Sequence, residues 1–457
     1  MKFNRFVIAS PKSGSGKTLI TIALMQAFLN DGKRVCGFKC GPDYIDPMFH
    51  KKILGVPSKN LDLFFSDEEQ VRALFCDGNE ADVSIIEGVM GLYDGLGADT
   101  QNASSYHLAR TLKAPIILVV DAKGMAYSVV ALINGFLSLD AKGLIKGVIL
   151  NNTSKNVFEK LSPLIKKECG IEALGYFPNQ KGLEIESRHL GLKLPDEISD
   201  IKEKVFLAAE KIKRTVDLEQ IYELSQSAPD LGMLKFERGS PAILKKMLYE
   251  KKVRIAVARD EAFCFYYDDN LKLLESYGAE LVEFSPLHDC FLPENICGII
   301  LGGGYPEFYA GGLEKNASIR NEIREKIGQG LPSLAECGGF MYLHNSIQTQ
   351  NKSVFKMVGA IDAEVRYTGK LVRFGYASVK EKNSFFSDNE IKAHEFHYFD
   401  STCNGSDCVA VKNSGIQYEC AQVSEQHFWS FLHLYYPSNP EFAESFVKKC
   451  RSYGKSY

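Results

Sequence analysis

This chain has no charge excess, no cysteine cluster at metal-ligand spacing, no apolar run of membrane length and no internal repeat, and each absence removes a class of function. The formal net charge is -3 over 457 residues, which gives no broad basic surface for a nucleic-acid partner. It also gives no global pull on an acidic substrate, so such a ligand needs a local basic pocket. The twelve cysteines are scattered. Cys36 and Cys40 stand isolated, and Cys403 and Cys408 have no second pair nearby, so reduced thiols are expected rather than a four-ligand zinc site. The early apolar run Phe6-Val-Ile-Ala9 is short and leads straight into Pro11-Lys12, which does not read as a signal peptide. With no stretch near transmembrane length, a cytoplasmic protein without membrane or nucleic-acid partners is expected.

What is present is an α/β alternation. Apolar residues make up 45% and charged residues 24%, a globular balance in a chain too long for one ordinary core, so two domains are expected. Continuously apolar runs read as strands buried on both faces: Arg5–Ala9, Arg34–Lys39, Asp82–Glu87, Pro115–Asp121 and Leu144–Leu150. Helical patterns separate them, with Ile20, Leu24, Ala27 and Phe28 sharing one helical face. This order predicts a parallel sheet wrapped by helices. A charged helical stretch, Lys202–Leu224, then runs into the turn-rich Ser225–Gly232. Domains are placed at 1–228 and 251–457, joined by a linker at 229–250. Strands Val253–Ala258, Glu280–Phe284, Gly298–Leu301 and Pro332–Glu336 open a second, different α/β series.

The first strand leads through Lys12-Ser-Gly-Ser-Gly-Lys-Thr18 into a helix, which is the setting of a phosphate-binding loop. Gly14 and Gly16 let the backbone curl, and backbone amides at the helix N-terminus face the anion. Lys17 is expected on the β- and γ-phosphates of ATP, and Thr18 on Mg2+. Pro11 stands where the longer pattern has its first glycine, and Lys12 resembles the signature lysine of deviant loops. Carboxylates at neighbouring strand ends are candidates for the metal: Glu87, Asp94 in Gly91-Leu-Tyr-Asp-Gly95, and Asp43 and Asp46 in Gly41-Pro-Asp-Tyr-Ile-Asp-Pro47. Pro-Asp and Asp-Gly are also turn-forming pairs, and the two uses are compatible.

Far downstream, the strand ending at Glu336 meets Cys337-Gly338-Gly339 and then a helical pattern. A cysteine on such an elbow is expected to be exposed at the sheet edge, and a helix N-terminus to lower its pKa. The Gly338 amide and one from Gly302-Gly-Gly-Tyr-Pro306, around Gly303, can form an oxyanion hole. His433 can take the thiol proton and later protonate departing ammonia. A kinase needs only the first loop and a thiol hydrolase only the second. A chain with both can activate a carboxylate and supply ammonia to attack it.

These segments, together with Ala256-Val-Ala-Arg-Asp260, Phe263-Cys-Phe-Tyr-Tyr267, Gly302–Glu307 and His394-Glu-Phe-His397, resemble the cobyrinic acid a,c-diamide synthase family across nearly the whole chain. The resemblance implies an N-terminal P-loop NTPase-like parallel-sheet domain, similar to dethiobiotin synthetase, and a C-terminal class I glutamine amidotransferase-like α/β domain. It implies that ATP phosphorylates a peripheral carboxylate of a cobyrinic acid-type tetrapyrrole, that Cys337 releases ammonia from L-glutamine, and that ammonia displaces phosphate at two side chains. On the family's pattern Asp94 and Glu87 order the metal and phosphate, Asp43, Tyr44 and Asp46 lie near the reacting carboxylate, and Asn151 reads adenine. Arg188 and His189 are candidates for substrate carboxylates. Many class I amidotransferases carry a glutamate two residues after the histidine; Tyr435 stands there, and the third catalytic partner is unassigned. His394 and His397 lack zinc-motif spacing, which favours a packing or domain-interface role. Nickel-sirohydrochlorin a,c-diamide synthase shares the architecture. A partitioning-type switch ATPase shares the lysine pair but has no use for Cys337 and His433. A non-catalytic tetrapyrrole binder needs neither Lys17 nor Cys337. The central metal and oligomeric state stay open.

Overall fold

β1 (Arg5–Ala9) is buried along its whole length and hydrogen-bonds to a parallel strand on each side. Its side chains alternate: Val7 and Ala9 enter one core, Phe6 and Ile8 the other, as a strand covered on both faces requires. The sheet around it is completed by β2 (Val35–Cys40), β3 (Ser58–Leu61), β4 (Val83–Glu87), β5 (Ile116–Asp121), β6 (Ile145–Asn151) and β7 (Glu172–Phe177), in the order β3-β2-β4-β1-β5-β6-β7. All of these pairs are parallel. A small antiparallel hairpin follows, β8 (Ser187–Arg188) with β9 (Gly191–Leu192). Helix α1 (Lys17–Asn30) buries the expected Ile20, Leu24, Ala27 and Phe28 in the same core as Ala208, Ala209 and Ile212 of helix Ile201–Thr215. Arg5 is fully buried, and its guanidinium donates to the carbonyls of Leu112 (2.6 Å), Phe3 (2.8 Å) and Pro229 (2.6 Å). It thereby ties the end of the helical segment back to the sheet.

This is a computed structural model that describes residues 2–180, 182–183, 187–188, 191–192, 194–198, 200–232 and 252–455. His189 and most of the expected 229–250 linker lie outside the described residues. The chain divides into two compact units, Met1–Phe236 and Glu237–Tyr457. Among the described residues no helix is long and apolar enough to cross a membrane.

The second unit has its own α/β sheet of β10 (Val253–Ala258), β11 (Ala279–Phe284), β12 (Gly298–Leu301) and β13 (Ser333–Glu336), extended by β23 (His427–Ser430) and β22 (Gln422–Val423) in the order β11-β10-β12-β13-β23-β22. Ala256, Ile299 and Ala335 face one core, and Val257, Ile300 and Leu334 the other. Two further sheets were not anticipated. One holds β14 (His344–Gln348), β15 (Val354–Lys356), β16 (Ile361–Tyr367) and β19 (Phe399–Ser401). The other is antiparallel, with β17 (Arg373–Glu381), β18 (Ile391–His397), β20 (Cys408–Lys412), β21 (Gln417–Cys420) and β24 (His433–Tyr435) in the order β21-β20-β17-β18-β24.

The turn after β13 packs tightly on β12. Gly339 N–H donates to the Gly302 carbonyl at 2.9 Å, and a Cβ on Gly339 would overlap the Leu301 carbonyl. Gly339→Ala is therefore expected to destabilise the second unit by about 2–3 kcal/mol. The milder Gly338→Ala, whose Cβ would meet Pro306 Cδ at 2.9 Å and Gly304 N at 3.1 Å, should cost less. Denaturant midpoints of the two variants check the order.

Candidate active sites

The phosphate loop links β1 to α1. Gly16 adopts a φ of 87°, and a Cβ there would overlap the Asn151 amide nitrogen, so only glycine fits. Asn151, which ends β6, donates to the Ser15 carbonyl at 2.9 Å and braces the loop. No side chain caps α1, which leaves its first amides available to an anion. Lys17 donates to Ser10 Oγ (2.8 Å) and to the Met90 carbonyl (2.6 Å). Burial first, then the like charge of Lys39, brings its pKa down to about 8. Lys12 is exposed at the loop's outer side.

Behind the loop is a buried charge cluster. Glu87 ends β4, and its Oε1 accepts from Thr18 Oγ1 (2.6 Å) and from Lys39 Nζ (3.1 Å). Lys39 also pairs with Asp46 and reaches the Gly88 carbonyl at 3.3 Å. The other Glu87 oxygen lies 3.7 Å from His50 Nε2 and has no hydrogen bond; His50 Nδ1 meets Ser58 Oγ at 2.9 Å. Burial opposes every charge here. For Lys39 the carboxylates of Asp46 and Glu87 outweigh it and hold the ammonium above its ordinary value. For Glu87, Lys39 and then His50 outweigh it and hold the carboxyl below its ordinary value. Asp46 goes the other way, raised by burial and then by the neighbouring Glu87 charge.

Among the described residues no three His, Cys, Asp or Glu side chains gather as a metal-binding group. Thr18, Glu87 and Asp46 do offer a hydroxyl and two carboxylates, a set suited to a Mg2+ completed by phosphate oxygens and water. The Glu87 oxygen without a hydrogen bond fits that use. Asp94 Oδ2 accepts from Gly91 N at 2.8 Å, and Leu92 N donates to the Ser10 carbonyl at 2.8 Å, which brings this turn against the phosphate loop. Asp43 Oδ1 accepts from Ile45 N at 2.7 Å, and Tyr44 precedes the short helix Ile45–Met48 that carries Asp46. Asn60, on β3, holds this loop through the carbonyls of Gly41 (2.8 Å) and Asp43 (2.7 Å). Lys39 and His50 were missed in the sequence. The signal for Lys39 was a charge near the carboxyl end of a strand otherwise fit for burial, where α/β sheets place ligands.

In the second unit Cys337 has a φ of 47° and a ψ of -102°, a strained position between β13 and helix Gly338–Leu343. Its N–H donates to the Ser430 carbonyl at 2.8 Å. The glycine loop after β12 wedges between this elbow and the histidine: a Cβ on Gly303 would overlap His433 Cε1 and approach Nδ1 at 3.0 Å. The glycine loop thus lies against both the residue after Cys337, through Gly304 and Gly338, and the histidine, through Gly303. Two expectations are corrected: Cys337 is buried rather than exposed at the sheet edge, and, with only six residues in the helix after it, burial, then Glu307 and Glu395, raises the thiol above its ordinary value. Burial, then His394 and His397, pulls His433 down to about 3, the direction that favours the neutral imidazole. The Tyr435 hydroxyl lies 3.5 Å from Asp269 Oδ2.

The two histidines of the 394–397 motif pack within the second unit. His394 pairs across the strands with His433. His397 donates through Nδ1 to the Phe399 carbonyl at 2.6 Å and stacks on Phe431 at 4.1 Å. Between them in sequence, the buried Glu395 accepts from Tyr418 and lies 3.6 Å from Arg373. Burial opposes its charge, but His397, Tyr418 and Arg373 outweigh it and hold Glu395 below its ordinary value. Glu336, next to Cys337, is pushed up to about 8 by burial against its hydrogen bond from Tyr436.

Two family models match. A CobQ/CobB/MinD/ParA nucleotide binding domain covers residues 6–192, and a CobB/CobQ-like glutamine amidotransferase domain covers residues 254–440. A cobyrinate a,c-diamide synthase of Caldanaerobacter subterraneus subsp. tengcongensis is 41% identical over 98% of this chain and 99% of its own length. Proteins of the same name from Clostridium tetani (38% identical over 97% of this chain and 99% of theirs) and Picrophilus torridus (39% identical over 98% and 99%) match equally fully. A nucleotide-binding unit and a glutamine amidotransferase unit in one chain, alike from end to end, mean that this protein belongs to the cobyrinate a,c-diamide synthase family.

Proposed function

We propose that this chain converts two carboxylates of cobyrinic acid, a and c, to amides, using ATP and the amide nitrogen of L-glutamine. One observation carries this reading: the chain matches relatives of that name over nearly its full length, with a phosphate loop in its first unit and a cysteine elbow in its second.

In the second unit, His433 takes the Cys337 proton as the sulfur attacks the glutamine amide. Amides of Gly303 and Gly338 receive the negative charge that develops on the carbonyl oxygen. The same imidazolium then protonates the departing ammonia, and water cleaves the glutamyl thioester.

In the first unit, Lys12, Lys17 and the amides at the start of α1 hold the ATP phosphates, with Gly14 and Gly16 giving the loop its curl and Asn151 its brace. Thr18, Glu87 and Asp46 would hold Mg2+, whose chemistry is to screen phosphate charge and fix its orientation. Asp94 lies by the loop to order the transferring phosphoryl group, and Asp43 and Tyr44 bound the carboxylate to be activated. A carboxylate is a poor electrophile; its acyl phosphate is a good one, and ammonia displaces phosphate from it. Lys39 holds the two buried carboxylates at a fixed spacing.

The substrate is tested by incubating the purified chain with ATP, glutamine and a panel of macrocyclic acids, with mass spectrometry of the products. Cobyrinic acid is expected to gain two amides; amidation of nickel-sirohydrochlorin with cobyrinic acid untouched would contradict the reading. Cys337→Ala should cut glutamine-dependent amidation by about 10³-fold or more while keeping most of the rate with free ammonium salts. Lys17→Ala and Asp94→Asn should lose product from either nitrogen source. The lowered Lys17 value sets a pH dependence. The ammonium is lost as pH rises through about 8, so calorimetric ATP affinity should be about tenfold weaker at pH 9 than at pH 7. Lys17→Arg, which keeps its charge, should flatten that profile.

A further inference from the structure

We propose that Cys408 and Cys420 form a reversible disulfide that staples the outer hairpin of the five-stranded sheet when the protein meets a low-molecular-weight disulfide. β20 and β21 are antiparallel neighbours, and their register sets Cys408 directly opposite Cys420, with Val409 opposite Glu419 and Ala410 opposite Tyr418. Directly opposed residues send their side chains to the same face with Cα atoms about 4.5–5.5 Å apart. A disulfide spans Cα separations of about 4.4–6.8 Å, so the bond needs no change of register. Both thiols are free and buried.

β21 is four residues long and ends the sheet, with Gln417 and Glu419 exposed. Short edge strands of this kind open locally well below the cost of global unfolding. Cys420 is on that edge, whereas Cys408 is on β20, enclosed between β21 and β17. Burial pushes both thiols up, Cys420 to about 12, so the closed hairpin is unreactive and opening limits the rate.

Once open, the Cys420 thiolate attacks one sulfur of the small disulfide, giving a mixed disulfide and one small thiol. The Cys408 thiolate then attacks the Cys420 sulfur and expels the second small thiol. Two protein thiols are oxidised, one small disulfide is reduced to two thiols, and the two protons end on those thiols. The staple fixes a strand that the second unit uses: two residues before Cys420, Tyr418 donates its hydroxyl to buried Glu395, and Arg373 lies over its ring at 4.1 Å.

The test exposes the whole chain to oxidised glutathione, alkylates remaining thiols after denaturation and maps unreduced peptides by mass spectrometry. A Cys408–Cys420 cross-linked peptide, lighter by two hydrogens and lost on adding dithiothreitol, is the expected result. Cys420→Ser should leave Cys408 as a free thiol, and Cys408→Ser should stop Cys420 at the mixed disulfide, both with basal amidation unchanged. Oxidised wild type should melt at a higher temperature than the reduced form. Full alkylation of both cysteines while the exposed Cys290 and Cys403 have reacted, or cross-linking of either to a different cysteine, would overturn the proposal; neither outcome depends on a variant folding.

Discussion

Parallel strands deliver their carboxyl ends, and the loops after them, to one edge of a sheet, and each unit sets its candidate site residues along such an edge. In the first unit β1 leads into the phosphate loop, β2 into Lys39 and the loop of Asp43 and Asp46, β4 into Glu87 and β6 into Asn151. In the second, β12 leads into the glycine loop and β13 into Cys337. Strands hydrogen-bonded on both sides cannot drift. Loops anchored on them can therefore approach to contact distance, which is why Gly16, Gly303 and Gly339 have no room for a Cβ.

The two units handle charge in opposite ways. In the first, buried Glu87 and Asp46 share one buried lysine, and breaking such a set by removing one partner typically costs about 3–5 kcal/mol. Within that cluster Lys39 and Glu87 are shifted toward their charged forms, whereas Asp46 is shifted toward its neutral one. In the second, burial shifts both the Cys337 thiol and the His433 imidazole toward their neutral forms.

Much of this was legible in the sequence. The continuously apolar runs expected at 5–9, 82–87 and 115–121 are central strands, each within a residue of those bounds, because a strand buried on both faces has no polar alternative. The phosphate loop and the cysteine elbow were readable because glycine spacing and flanking strand and helix patterns are local properties. β3 was not, since Ser-Lys-Asn-Leu has no apolar signature; it is a strand because β2 lies beside it. The antiparallel sheet was missed although Ile391–His397 alternates between buried and half-buried residues, a period of two that the histidine motif obscured. The Cys337 environment was misread for a deeper reason. Its shift comes from burial and from Glu307 and Glu395, the latter 58 positions away in sequence, and only the fold juxtaposes them with the elbow.

The central claim is that a phosphoryl-donating site and a thiol-driven nitrogen source cooperate within one chain. Turnover with glutamine labelled by 15N at the amide, in the presence of unlabelled ammonium below the level that supports amidation alone, tests it most directly. The account expects the product amides to carry the label undiluted. Product amides labelled only in proportion to the mixed ammonia pool would mean that the two sites work independently, and would contradict it.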